Sequence, residues 1–286
     1  MRRSAKLFEN GRPTERFLRF LKDIKIGGET LPQINAALQA AFVPKKDDGQ
    51  TVERWDLPKL LETFPEHAIR EHLGALGFLY KTAPQKTHYR RAGWPGAKVT
   101  RAGARLLDLV EAFKAGVRWG ELIVFTGDRP LDTDETFLKA REAVNDTSSW
   151  GGSDDWEWED LHKTEGSMLA SLWDMCDMPS EMRAIPIRFV NAPMKPNPKG
   201  GDPIRPNSED PVHLWLKQHE PDPGSMLFSS GAPYGPAQDE AMWMILGPLG
   251  HEIETFGHAV PSQLGLEALL REVAGTVYRV HRAFGS

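Results

Sequence analysis

From Glu121 to the C-terminus the sequence alternates two kinds of segment, and this alternation limits the fold more than any other feature. Glu121-Leu122-Ile123-Val124-Phe125-Thr126 is a short, nearly continuous apolar run, the pattern of a strand buried on both faces of a parallel sheet. Ile185 to Val190, Ser225 to Ser229 and His251 to Phe256 are further strand candidates. Each is followed by a loop and a stretch of helical periodicity, from about Ser208 to Gln218, Ala237 to Leu246 and Leu264 to Phe284. Ahead of the first run, Arg101 to Ala115 places Leu106, Leu107, Leu109, Val110 and Phe113 on one helical face, and Gly116 follows as a C-cap would. Strands alternating with helices join through right-handed crossovers, so the pattern predicts an α/β fold in which helices cover both faces of a parallel sheet.

The first third of the chain reads differently. Arg16 to Ile24 and Leu57 to Leu79 carry apolar residues at helical spacing, and Pro44-Lys45-Lys46-Asp47-Asp48-Gly49 between them reads as a turn. The expected division is a helical N-terminal extension over 1–86 and an α/β domain over 87–286. An acidic, Trp-rich stretch near 147–162 interrupts the second part as an insertion or a solvated loop, and Thr164 after it is placed to N-cap a helix running to Cys176.

Composition narrows the class of function. The formal charge of −5 over 286 residues disfavours bulk attraction to nucleic acid or an anionic membrane. No apolar run approaches the roughly 20 residues of a membrane helix, and Met1-Arg2-Arg3-Ser4 leads into polar sequence. The expectation is a cytoplasmic protein that does not engage a membrane. Cys176 is the sole cysteine, which excludes an intrachain disulfide and a thiolate metal cluster.

In open parallel sheets ligands bind beyond the carboxyl ends of the strands, so the residues after each strand are the candidates. After Phe125 come Thr126, Gly127, Asp128 and Arg129. Gly127 permits close backbone approach, Asp128 suits a metal or a hydroxyl, and Arg129 can hold a phosphate or carboxylate through two parallel hydrogen bonds, or pair locally with Asp128 in a turn. After Val190 the loop reaches Arg205, Asn207 and Ser208, where Ser208 could cap the next helix and Arg205 could sit beside its N-terminus as an anion contact. Ser229-Ser230-Gly231, with Tyr234 nearby, is a small-residue loop able to turn amides toward a ligand. It lacks the lysine of a P-loop and the Gly-x-Ser-x-Gly of a nucleophile elbow. His258, after the last strand, is either a general base or a polar residue at a helix approach. The nine histidines show no paired metal-ligand spacing, which leaves Asp128 and Glu165 as a possible carboxylate pair for acid–base work or a hydrated Mg²⁺.

In order along the chain, Gly93-Trp94-Pro95-Gly96-Ala97, then Arg101 or Arg105, Thr126-Gly127-Asp128, Thr164-Glu165-Gly166, Asn207-Ser208-Glu209-Asp210 and Ser229-Ser230-Gly231 resemble the bacterial SanA/YdcF-like family over about 88–282. That family is a Rossmann-like group without an assigned chemistry, so the resemblance implies a Rossmann-like three-layer sheet and little about reaction. The family's opening strand is strongly apolar, and His88-Tyr89-Arg90-Arg91-Ala92 is not. Asp210 stands where the family tends to have Asn, and Tyr234 and Gln238 lie near the place of its His-Arg pair.

These readings converge on an enzyme that binds or acts on a nucleotide-like or phosphorylated small molecule. Arg129 and Arg205 would be anion contacts, Asp128 and Glu165 acid–base or Mg²⁺ groups, and the loops at Thr126-Gly127 and Ser229-Ser230-Gly231 amide donors. Mg²⁺ and S-adenosylmethionine are the candidate cofactors. The alternative is a non-catalytic interaction module using the N-terminal helices and Trp150, Trp156 and Trp158 as contact surface. The basic residues Arg2, Arg3, Lys6, Arg12, Arg16 and Arg19 give nucleic acid a lesser claim. The sequence sets no oligomeric state.

Overall fold

A computed structural model describes residues 7–9, 12–43, 65–145, 163–261 and 264–284. The turn at 44–49, the Trp-rich stretch of 147–162 and Arg2, Arg3 and Lys6 lie outside the described residues. In chain order the elements are β1 (Phe8–Glu9), β2 (Arg12–Pro13), α1 (Glu15–Asp23), α2 (Leu31–Phe42), α3 (Glu66–Ala75), β3 (His88–Tyr89), β4 (Arg91–Pro95), α4 (Val99–Lys114), β5 (Arg118–Trp119) and β6 (Leu122–Gly127). Then come α5 (Phe137–Ala143), α6 (Glu165–Met175), α7 (Ser180–Arg183), β7 (Ile187–Ala192), α8 (Asp210–His219), β8 (Ser225–Ser229), α9 (Gly235–Leu246), β9 (Glu252–Phe256) and α10 (Leu266–Phe284).

The chain divides into two compact units, one of residues 83–230 and 245–258, the other of 1–82, 231–244 and 259–286. The first is the α/β body. Its five strands lie in the order β7-β6-β4-β8-β9 and every neighbouring pair is parallel. Counted along the chain this is 3-2-1-4-5, the Rossmann order, with the direction of winding reversing between β4 and β8. All four strands expected from the alternating pattern are present.

Alternation along the strands divides the side chains between two faces. Ala92, Trp94, Leu122, Val124 and Leu227 pack with Leu106, Leu109 and Phe113 of α4 and Met168, Leu169 and Leu172 of α6. On the other face Phe125 stacks on Phe228 at 5.7 Å and meets Trp215 of α8 edge-on at 5.8 Å. The fold is therefore a parallel sheet between helical layers. Local sequence sets the helix ends as expected: Thr164 Oγ1 accepts from Ser167 N at 3.4 Å, and Gly116, at φ 96°, turns the chain out of α4.

The central strand β4 is the element the sequence conceals. Arg91 sits 8% exposed inside it, donating to Glu121 at 3.3 Å and to the Asp222 carbonyl at 3.0 Å, with its guanidinium 5.5 Å from the Trp215 ring centre. Gly93 is required because a Cβ there would lie 2.5 Å from the Phe228 ring. A charged residue, a glycine and a proline thus occupy a strand whose two neighbours satisfy or cover them.

The second unit has its own core. Phe17, Phe20, Ile34, Leu38, Ile69 and Leu73 from α1, α2 and α3 pack with Leu269, Leu270, Val273 and Val277 of α10. Gln39 donates to the Ala274 carbonyl at 2.9 Å. α10, read from sequence as the last crossover helix of the sheet, instead completes the core of the N-terminal helices. No described helix is long and apolar enough to cross a membrane.

Candidate functional site

Beyond the carboxyl ends of β4 and β6 the α/β unit encloses a cavity of about 160 Å³. Gly96, Thr126, Gly127, Arg129, Glu165, Arg205, Asn207 and Ser208 all reach it, together with Pro95, Phe125, Pro206 and Pro211. Nine of these twelve are supplied by the β6 end, the start of α6 and the loop before α8, and seven of the nine are among the residues the sequence singles out: Thr126, Gly127, Arg129, Glu165, Arg205, Asn207 and Ser208. The volume is below the roughly 300–1,000 Å³ of pockets that engulf a drug-sized ligand, so it accepts one polar group and leaves the rest of a ligand outside.

Arg129 has a different task from the expected one. Its Nη1 and Nη2 make two parallel bonds to Glu135 at 2.5 and 2.8 Å, and its Nε donates to Glu165 Oε2 at 2.6 Å. The remaining donors reach the carbonyls of Pro130 and Ala97, each at 3.2 Å. All five N–H groups are thus spent on the protein, so the fork that suits a ligand carboxylate or phosphate holds an internal carboxylate instead. Glu135 also accepts from Val99 N, at the start of α4, at 3.0 Å, and from Asp132 N at 2.8 Å. The helix N-terminus after the first sheet strand, where Rossmann proteins seat a phosphate, is therefore filled by the chain's own carboxylate.

Glu165 shares Arg129 with Glu135 and is 8% exposed. Burial raises its pKa above the ordinary carboxylate value, the charge and hydrogen bond of Arg129 pull against that, the negative charge of Glu135 adds to the rise, and Arg105 opposes it. Glu165 Oε1 lies so close over Gly96 that a Cβ there would stand 1.7 Å away. Beside it, Thr126 is 2% exposed and its Oγ1 has no hydrogen-bond partner.

Arg205 at the rim is more than half exposed along its side chain and donates through Nη2 to Asp132 at 2.7 Å. Burial raises the Asp132 pKa, but hydrogen bonds from Lys98 and Arg205 outweigh it and hold the group below its usual range. Asn207, rather than Ser208, closes the turn that leads into α8: Asn207 Oδ1 accepts from Glu209 N at 2.8 Å and Asp210 N at 3.1 Å, while Asp210 accepts from Asn207 N at 2.5 Å. The spacing of Asn207 and Asp210, an Asn with an acceptor three positions on, was the signal for this. Ser208 is left exposed at the rim.

The other expected residues lie elsewhere. Asp128 accepts a hydrogen bond from the Asn191 amide, donates its backbone N–H to Ala192 at 2.8 Å, and does not line the cavity. The Ser229-Ser230 loop does not offer its groups to a ligand in the expected way. Ser230 N donates to Phe256 O at 2.7 Å, Ser229 Oγ donates to Arg105 O at 2.7 Å, and Ser230 Oγ accepts from Arg105 at 3.2 Å. Arg105 also donates to the carbonyls of Pro95 at 2.9 Å and Gly96 at 2.8 Å, bridging the loops after β4 and β8 where the winding reverses. Gly231 and Tyr234 belong to the other unit, where Tyr234 N donates to Gly231 O at 3.1 Å.

Among the described residues no group of three or more His, Cys, Asp or Glu side chains is arranged to hold a metal ion. Glu165 faces two guanidinium groups, which compensates its charge without a cation, so the Asp128 and Glu165 pair does not fit Mg²⁺. Sequence reasoning reached Arg105 only through the family resemblance and missed Glu135 and Asp108, the latter accepting from His258 Nδ1 at 2.7 Å and His258 N at 3.1 Å. Neither a protein-family model nor a curated protein matches the sequence.

Proposed function

We propose that this chain is an enzyme that binds a nucleotide-like or phosphorylated small molecule at the cavity beyond β4 and β6. Arg205 at the rim meets the anionic group, and Glu165 in the wall moves a proton. One observation carries the reading: a single cavity at the sheet's carboxyl edge gathers a rim cation, a buried carboxylate of raised pKa and a buried hydroxyl without a partner. Buried polar groups are nearly always satisfied, and a partnerless one in a cavity wall marks a place where a ligand or water completes the bonding. Kinship with the SanA/YdcF-like family belongs to the same proposal and rests on the order of the loops.

Thermal-shift measurements against nucleotides, sugar phosphates, S-adenosylmethionine and inorganic phosphate test it. A stabilising ligand whose effect is lost in Arg205→Ala is expected. No stabilisation across the panel, or stabilisation indifferent to Arg205→Ala, contradicts it.

A further inference from the structure

With Glu135 on the first turn of α4, an anion at this edge of the sheet has to be met by side chains further out. Lys98 stands at that place: it immediately precedes α4 and follows Gly96 of the cavity wall by two residues. Its ammonium donates to Asp132 Oδ2 at 3.0 Å and to Asp134 at 3.3 Å. Arg205, from the loop before α8, donates to the other oxygen of Asp132, Oδ1, at 2.7 Å. One carboxylate therefore bridges the ammonium and the guanidinium, so both cations lie within reach of a single small anion.

This bridge is easily exchanged. Lys98 and Arg205 are each 55% exposed along their side chains and Asp132 is 25% exposed, and ion pairs in such surroundings are weak. Asp132 is also held through its backbone, which donates to Glu135 at 2.8 Å, so its loop keeps its place when the side chain turns away. The other charges nearby have partners of their own: Asp134 also meets Lys139 at 3.6 Å, and Asp210 at the start of α8 pairs with Lys195 at 2.8 Å. Among the described residues no carboxylate but Asp132 bonds to Arg205. A carboxylate ligand taking the place of Asp132 would exchange one monoanion for another. A phosphate brings about −1.5 to −2 charges and three terminal oxygens, enough to engage both cations more strongly than Asp132 does.

We infer that Lys98 is the second cation of the anion site and that Asp132 is its internal competitor, standing between Lys98 and Arg205 as a terminal phosphate, free or esterified, would stand. This rests on the proposed role of Arg205 and adds two residues to it, one that strengthens anion binding and one that weakens it.

Titration calorimetry at low ionic strength, with inorganic phosphate and with ribose 5-phosphate, tests the inference on five chains: wild type, Asp132→Asn, Lys98→Ala, and the charge-matched controls Asp134→Asn and Lys139→Ala. Asp132→Asn is expected to bind phosphate roughly 3- to 10-fold more tightly than wild type, and Lys98→Ala to bind it more weakly by a similar factor. Each control changes the net charge by the same amount as its counterpart but touches neither Asp132 nor Arg205, and is expected to shift affinity by about 2-fold or less. Asp132→Asn binding no more tightly than wild type or Asp134→Asn, or Lys98→Ala binding no more weakly than Lys139→Ala, overturns the inference and leaves the contact at Arg205 standing. With the expected order of variants, tighter binding of ribose 5-phosphate assigns the ester and tighter binding of inorganic phosphate assigns the free ion. Binding of neither by any of the five chains also overturns the inference, whereas the proposed function falls only with silence across the wider ligand panel.

Discussion

Arg129 and Glu135 face each other through two parallel hydrogen bonds of 2.5 and 2.8 Å, with only 9% and 1% of their side chains exposed. The pair lies six residues apart in one loop, and through Glu165 and Val99 it ties the end of β6 to the starts of α4 and α6. It is the frame on which the cavity is built.

Removing one member leaves the others charged and buried. Arg129→Met is expected to destabilise the fold by about 3–5 kcal/mol in urea unfolding, because two carboxylates lose their cation. Arg129→Lys is expected to recover little, since an ammonium cannot make the paired bonds. A loss below about 1 kcal/mol in either variant would show the pair to be incidental.

Gly96→Ala is expected to displace Glu165, because the new methyl would stand 1.7 Å from Oε1 and 3.2 Å from the Phe125 carbonyl. Overpacking of this kind costs about 1–3 kcal/mol. The same variant is expected to lose ligand affinity by calorimetry. Unchanged stability and binding would mean that Glu165 is free to move.

Acid is expected to weaken the fold through His251. This residue is 5% exposed, and burial first, then the charges of Arg91 and Arg90, hold its pKa below the ordinary value of 6.5. Above that value it is neutral in folded and unfolded chains and stability does not depend on it. As pH falls below 6.5 the unfolded chain takes a proton that the folded chain refuses, so stability drops, by at most about 1.4 kcal/mol per pH unit, until the folded pKa is passed. His251→Leu is expected to flatten that part of the unfolding-versus-pH curve, and an unchanged slope would assign it to other groups.

Asp108 holds the loop after β9 by accepting from both the ring and the backbone of His258. Asp108→Ala is expected to cost about 1–3 kcal/mol and to speed hydrogen exchange at the His258 amide. Exchange as slow as in the wild type would show that the loop is held by something else.

Much of this was legible in the sequence. A continuous apolar run located β6, which is buried on both faces, and the alternation of strand candidates with helices located β7, β8 and β9. Loop positions at strand ends then located Thr126 and Arg205. β4 was hidden because Arg91 is acceptable in a buried strand only beside Glu121 and Trp215, and Gly93 is needed there only because Phe228 packs against it. Glu135 was hidden for a similar reason: Asp132-Thr133-Asp134-Glu135 reads as a solvated acidic turn, and nothing in its spacing shows that one carboxylate folds inward onto Arg129. The periodicity of α10 revealed a buried face without revealing that its partners are α2 and α3 rather than the sheet.

The central claim is that ligands enter the cavity beyond β4 and β6, and amide chemical-shift mapping during titration with ribose 5-phosphate tests it most directly. The account predicts that Gly96, Thr126, Gly127 and Ser208, all lining that cavity, shift most. Shifts concentrated in α1, α2 and α3, or none at saturating ligand, would contradict it.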